Sequence, residues 1–223
     1  MTMNRFWLFR RTKYLGRTIF KEKQMSRYIT ALFITVLAFA ASGLAQDGKR
    51  APLLTVPSVD LQKYKGKWYE IARYPNRFQR KCVGNTTATY EIEDDGDINV
   101  INECVEKDGE IDRAKGEAKI VDNSSNAKLK VRFAPGFLSF LPFVWGDYWI
   151  IDLADDYSYA AVGDPKRKYF WILSRTPEMD TATYQAILRR AEEKGFDPLK
   201  VIETPQNVDV IKGQVVVGEK TSK

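Results

Sequence analysis

The sequence predicts an all-β protein, an eight-stranded antiparallel up-and-down β-barrel with one C-terminal α-helix packed outside. Three observations predict it. Short segments alternate apolar and polar residues with the period of two that a half-buried strand requires, and compact turn sequences separate them. One stretch near the C-terminus instead places Tyr184, Ile187, Leu188 and Ala191 at helical spacing. Successive strands joined by hairpin turns favour a meander over parallel units, and closing the sheet on itself removes its exposed edges.

The first strand opens at Gly66-Lys67-Trp68 and runs on through Tyr69-Glu70-Ile71-Ala72-Arg73. Gly66 has no Cβ, so the backbone can turn sharply there, and Trp68 points to the same face as a plug. A polar connection over 74–81 leads to a strand at 87–93 in which Ala88, Tyr90 and Ile92 share a face. Asp94-Asp95-Gly96-Asp97 turns into a returning strand from Ile98, and Asp108-Gly109 into one whose Ala114, Gly116, Ala118 and Ile120 face one way. Lys128 to Phe133 alternates most cleanly: Leu129, Val131 and Phe133 face in, while Lys128, Lys130 and Arg132 face water. Segments 148–153, 157–163 and 169–175 complete the eight. For the helix, Asp180 suits the N-cap and Gly195 the C′ position, with Phe196 folding back. Val201-Ile202 reads as a short extra strand, and 206–223 as a tail without pattern. In a closed sheet the first and last strands are neighbours, so the Arg175 guanidinium can lie on the Trp68 indole. Such a contact contributes roughly 0.5–1 kcal/mol when exposed and about 2 kcal/mol when desolvated.

Gly66-Lys67-Trp68, Asp156-Tyr157 at a turn, and Leu173-Ser174-Arg175-Thr176-Pro177 before the helix together resemble the three signature regions of the lipocalins. The flanking residues, Trp68 to Arg73 and Trp171 to Pro177, are most similar to bacterial lipocalins of the outer-membrane lipoprotein type. The resemblance spans 59–205, which is the expected barrel-and-helix domain. It implies a barrel base made by Gly66, Trp68 and Arg175. It also implies a non-catalytic carrier or store of a fatty acid, lysophospholipid or related membrane lipid in the cell envelope. Two residues depart from the pattern. Asp155 stands where the second region often has threonine, and Gln46 where many members carry a lipid on cysteine.

The formal net charge of +6 belongs to the leader. Residues 1–45 hold eight basic residues and one acidic, leaving 27 basic against 28 acidic in the rest, so the folded part has no global charge that would attract nucleic acid. The apolar stretch 28–41 follows Arg27 and precedes Gly43-Leu44-Ala45, the arrangement of a secretory signal cut after about Ala45. The alternative is an uncleaved anchor, but the stretch is shorter than the about 20 residues of a spanning helix. Met25 would make a more ordinary start than Met1. The expectation is an exported protein, periplasmic or secreted, without a lipid-anchor cysteine, and with 46–58 as a flexible lead-in.

Eight strands enclose a space just wide enough to be filled by side chains or to hold one small ligand. Ala72, Ala88, Ala114, Gly116 and Ala118 are too small to fill it, while Tyr90, Phe133, Tyr148, Tyr159 and Trp171 supply an aromatic lining. Together they imply an apolar pocket for an acyl chain, with Asn102 and the tyrosine hydroxyls orienting its head. The alternative for each aromatic is plain core packing. The connection 134–146 carries seven large apolar residues where connections are usually polar. It is either a lip making transient contact with a membrane surface or a cover folded over the barrel.

Cys82 and Cys104 are the two cysteines of an exported chain, so one disulfide is the default, although simple register sets Cys104 opposite Thr86 and a bend at Gly84 is needed to close the gap. The chain contains no histidine, which removes Ser-His-Asp and Cys-His nucleophilic arrangements and histidine metal sites. No catalytic residue, metal or cofactor is therefore assigned. Glu70, Glu103, Asp147, Asp152 and Asp156 are read as solvated or turn-forming carboxylates. Two rival readings remain: an isomerase or de-epoxidase of the same fold acting on a lipophilic substrate, and an envelope interaction protein with a filled barrel acting through 134–146.

Overall fold

Period-two alternation produces eight strands: β1 (Gly66–Arg73), β2 (Cys82–Ile92), β3 (Ile98–Glu106), β4 (Ile111–Ile120), β5 (Lys128–Arg132), β6 (Gly146–Leu153), β7 (Tyr159–Gly163) and β8 (Phe170–Ser174). They come from a computed structural model that describes residues 50–93, 97–134, 136–138, 141–211 and 214–218. The expected signal with its cut near Ala45, the start of the lead-in and the Asp94-Asp95-Gly96 turn lie outside these residues. Each strand pairs antiparallel with the next, and β1 pairs with both β2 and β8, which closes the barrel. A single-turn helix, α1 (Leu61–Tyr64), precedes β1. It is capped by Asp60, whose carboxylate accepts from Gln62 N and Lys63 N.

One end of the barrel is the base. There Arg175 lies over the Trp68 ring at 3.7 Å from its centroid, and its guanidinium donates to the carbonyls of Lys63, Tyr64, Lys65 and Lys67. Trp68 Nε1 donates to Tyr64 O at 2.8 Å. Gly66 has φ +95°, a backbone conformation that favours glycine, so the turn into β1 calls for it. Tyr157, with φ 60°, completes the base. Its hydroxyl accepts from Asp60 N, and Asp156 accepts from Ser158 N in the expected turn.

The outer face carries α2 (Thr181–Glu193), capped by Asp180 and ended by Gly195 at φ +87°. Ile187, Ala191 and Phe196 pack with Ala72, Ile151, Ala161, Phe170 and Ile172. Ala72 was expected inside. An irregularity in β1 sets Glu70 opposite Leu173 but Ala72 opposite Ile172, and the extra residue turns Ala72 to the helix side. The lead-in is also packed rather than free over its described part. Leu53 is buried, Val56 N donates to Ile150 O, and Val59 N donates to Ser125 O. Arg132, expected in water, is buried: it pairs with Glu117 and lies under Trp145.

The C-terminal segment has more structure than its sequence pattern suggests. β9 (Ile202–Glu203) pairs with the end of β1, and β10 (Val208–Ile211) forms a hairpin with β11 (Gln214–Val217). β2 starts five residues before its alternation becomes regular. Register shifts between Cys82 and Gly84 and between Gly84 and Thr87 hide it, and they bring Cys82 to Cys104 in a disulfide with Cα atoms 5.6 Å apart. The bridge closes a sequence separation of 22 residues. The Cys82→Ser/Cys104→Ser variant is expected to lose about 3 kcal/mol of unfolding free energy in urea, with the same far-ultraviolet circular dichroism.

Candidate functional site

The barrel interior is sealed from the base upward. Tyr64 from α1, Tyr90 from β2 and Tyr148 from β6 bring their hydroxyls together, with Tyr148 Oη 2.8 Å from both of the others. All three rings are buried, and Tyr64 also packs on Trp68 with ring centroids 4.9 Å apart. Burial raises all three phenols above the ordinary tyrosine range, because a phenolate there would lose its water. Around them, Ile98, Val100, Ala118, Leu129, Ile150, Ala160, Val162 and Leu173 fill this half of the barrel.

Above this floor the inward residues become small. Ala88, Asn102 and Ala114 stand opposite one another on β2, β3 and β4, and all three are only half-buried. Gly116 faces inward one step nearer the base. A Cβ there would strike the Phe133 ring at 2.6 Å, so the glycine lets Phe133 lie across the wall, where it stays 42% exposed. Trp171, opposite Arg73 and Val162, also faces in. It donates from Nε1 to Gln79 Oε1 at 3.2 Å and stacks on Tyr169 at the rim.

The open half also holds charge. Glu70 is buried, and its carboxylate accepts from Gln79 Nε2 and Thr204 Oγ1, both at 2.6 Å. Arg73 Nε lies 3.2 Å from Glu70 Oε1. Burial raises the Glu70 pKa; the Thr204 and Gln79 hydrogen bonds and the Arg73 charge oppose this.

Of the residues singled out in the sequence, Phe133, Trp171 and Asn102 face the open half, whereas Tyr90 and Tyr148 belong to the sealed floor. Tyr159 does not face in. It lies under α2, where its hydroxyl accepts from Arg190 Nη2 at 2.9 Å, because β7 sets Ala160 and Val162 inward and Tyr159 outward. Glu70 is a buried interior carboxylate, not a solvated one. Glu103, Asp147 and Asp152 do pair with basic partners on the surface or beside α2. Arg73, Gln79 and Thr204 escaped sequence reasoning. Two of them sit outside regular alternation, and the signal for the third, a charge pair three residues apart in one strand, acquires meaning only with the bulge.

At the rim, Phe143 is 80% exposed and Phe78 62% exposed. Trp145 pins the end of the 134–146 connection to the outer wall, with Lys119 Nζ 4.2 Å and the Arg132 guanidinium 5.1 Å from its ring centroid. Phe137 and Phe140, counted among the apolar residues of this connection, lie outside the described side chains.

The lipocalin-like domain model matches residues 59–206. Temperature-induced lipocalin-1 of Arabidopsis thaliana is 44% identical over 154 residues, 68% of this chain and 82% of that protein. The outer membrane lipoprotein Blc of Citrobacter freundii is 41% identical over 181 residues, 81% of this chain and 98% of that protein. Apolipoprotein D of Rattus norvegicus is 35% identical over 164 residues, 69% of this chain and 74% of its own. Insecticyanin of Manduca sexta, 22% identical, superposes with a TM-score of 0.56 over 70% of this chain and 86% of its own, which concerns the fold alone.

The tyrosine floor has a measurable signature. Its neutral phenols stabilise the fold fully below the unfolded tyrosine value of about 10, and that contribution is lost as pH rises through the higher folded values. Urea unfolding across alkaline pH is expected to show this fall. At neutral pH, Tyr148→Phe is expected to cost more than Tyr90→Phe, about 1–3 kcal/mol for each hydroxyl left without a partner.

Proposed function

This chain belongs to the lipocalin family, and on that premise we propose that it carries or stores a fatty acid, lysophospholipid or related membrane lipid in the cell envelope. Family membership and the similarity to apolipoprotein D and outer membrane lipoproteins support binding of a lipophilic molecule. One observation carries the finer reading. Across three adjacent strands the inward positions Ala88, Asn102 and Ala114 remain half-buried inside a closed wall, above a floor that is fully packed. An acyl chain entering from the rim would meet Phe133, Trp171 and the alanines and stop at the tyrosines. The driving force is removal of the chain from water, at about 0.8 kcal/mol per methylene before ordering costs. Export to the periplasm or beyond, with the signal removed near Ala45, is part of the same proposal and rests on the leader sequence.

The test uses the delipidated protein from Gln46 onward, titrated with oleate and with lysophosphatidylcholine below their micelle concentrations while tryptophan fluorescence is followed. Saturable quenching near one ligand per chain is expected. It should be lost in Trp171→Phe, with the fold intact by circular dichroism. Absence of saturation with both lipids would remove the carrier reading.

A second reading, transient contact of the rim with a membrane surface, is favoured by the exposure of Phe143 and Phe78 at the same end of the barrel. Arg77 lies over Phe78 and Lys168 over Tyr169, so cations accompany the rim aromatics. Trp145, held on the outer wall, favours a lip over a cover. Co-sedimentation with vesicles containing phosphatidylglycerol is expected to fall in Phe78→Ser/Phe143→Ser, and equal sedimentation of variant and parent would remove this reading.

A further inference from the structure

The half of the barrel that opens to the rim has a definite depth. Val100 stands opposite Tyr90 at the level of the floor, and β3 runs six residues from there to its end at Glu106. At a rise of about 3.3 Å per residue and a strand tilt of about 40°, that is about 15 Å along the barrel axis. Half the hydrocarbon thickness of a bilayer is also about 15 Å, so the space above the floor matches the span of one membrane acyl chain.

The floor is built to hold against a longer chain. Tyr148 Oη lies 2.8 Å from the hydroxyls of Tyr64 and Tyr90, so a ring that swings aside leaves a buried hydroxyl unpaired. Tyr64 is held in addition by its place in α1 and by Trp68, whose ring lies under Arg175. On the base side of the three rings, a void of about 10 Å³ lies between Ile92, Ile98, Ala118, Leu129 and Val131. It is about the size of one water molecule's probe volume, too small to take the end of a chain. The magnitudes favour the floor. Burying one more methylene raises affinity about fourfold, whereas stranding one buried hydroxyl costs about tenfold or more.

We infer that the tyrosine cluster is a depth stop that makes the carrier selective for acyl chain length. Affinity rises with each carbon until the chain end meets Tyr90 and Tyr148, and gains nothing beyond. Tyr90 sets the limit, because it follows Ala88 on the inward face of β2 and is the first ring a chain lying along Ala88 meets. This rests on the carrier reading above, with the head of the lipid at the rim. The preferred ligands are therefore single chains of membrane length, about 14–18 carbons, and shorter chains leave part of the open half unfilled.

The experiment titrates the delipidated protein from Gln46 onward with fatty acids of even carbon number, from about 8 to about 20 carbons, each below its micelle concentration, while tryptophan fluorescence is followed. The parent protein is expected to gain about tenfold per added pair of carbons up to a break, and about twofold or less per pair past it. Tyr90→Ala, which keeps the hydrogen bond between Tyr64 and Tyr148, should move the break to longer chains by about two carbons or more. Tyr90→Leu, a smaller loss of volume, should move it the same way and serves as the test if Tyr90→Ala does not fold. Ala88→Leu, which fills the space next above Tyr90, should move it to shorter chains. An affinity that climbs without a break to the longest acid would overturn the depth stop while leaving the carrier reading in place, as would a break that stays where it is in the folded Tyr90 variant. Saturable binding of none of the acids would overturn both.

Discussion

The barrel depends on the seat of one guanidinium. Arg175 stacks on Trp68 and gathers four carbonyls from the segment 63–67, so a single side chain at the end of β8 fixes α1, the Gly66 turn and the start of β1 together. A fixed cation is well suited to this. Arginine keeps its charge in a partly desolvated site and its planar fork reaches several acceptors at once. The ordering of α1 then sets Tyr64 among Tyr90 and Tyr148, and the floor follows.

The two halves of the interior follow from opposite side-chain choices. Below, branched aliphatics and three tyrosines are buried against one another, and the tyrosines satisfy their own hydroxyls. Above, alanine and glycine leave space, and the polar atoms lining it are incompletely paired, with Asn102 Oδ1 and Thr86 Oγ1 both buried without partners. Native interiors seldom leave such atoms unmatched.

Much of the fold was legible because it rests on local rules. Alternation located all eight strands, and Asp180 and Gly195 marked the helix ends. The pair Trp68 and Arg175 was legible as a consequence of closure. What escaped reading depends on irregularity. One extra residue in β1 exchanges Ala72 for Arg73 inside the barrel, and two shifts in β2 conceal five residues of strand and the route to the disulfide. Parity also misplaced Tyr159, since the alternation of 157–163 is equally apolar on both faces where a helix covers the outside. At the site, Phe133, Trp171 and Asn102 were within reach of the pattern. Glu70, Gln79 and Thr204 were not, because they meet through a loop and a segment 134 residues away in sequence from the strand they join.

The parting of β1 from β2 is sewn by the segment after β9. Gln206 Nε2 donates to Glu70 O and Thr86 O, and the Asn85 side chain pairs with the backbone of Val208 as a strand neighbour would. For a chain made from its N-terminus, this seam has a temporal meaning. β1 emerges early and waits, half paired, until residues more than a hundred positions later arrive, and contacts of such long range are slow to form. During that interval the open edge of β1 can pair with a foreign strand. The protein is therefore most exposed to mispairing until about its last tenth, residues 202–223, has been delivered and the seam closes.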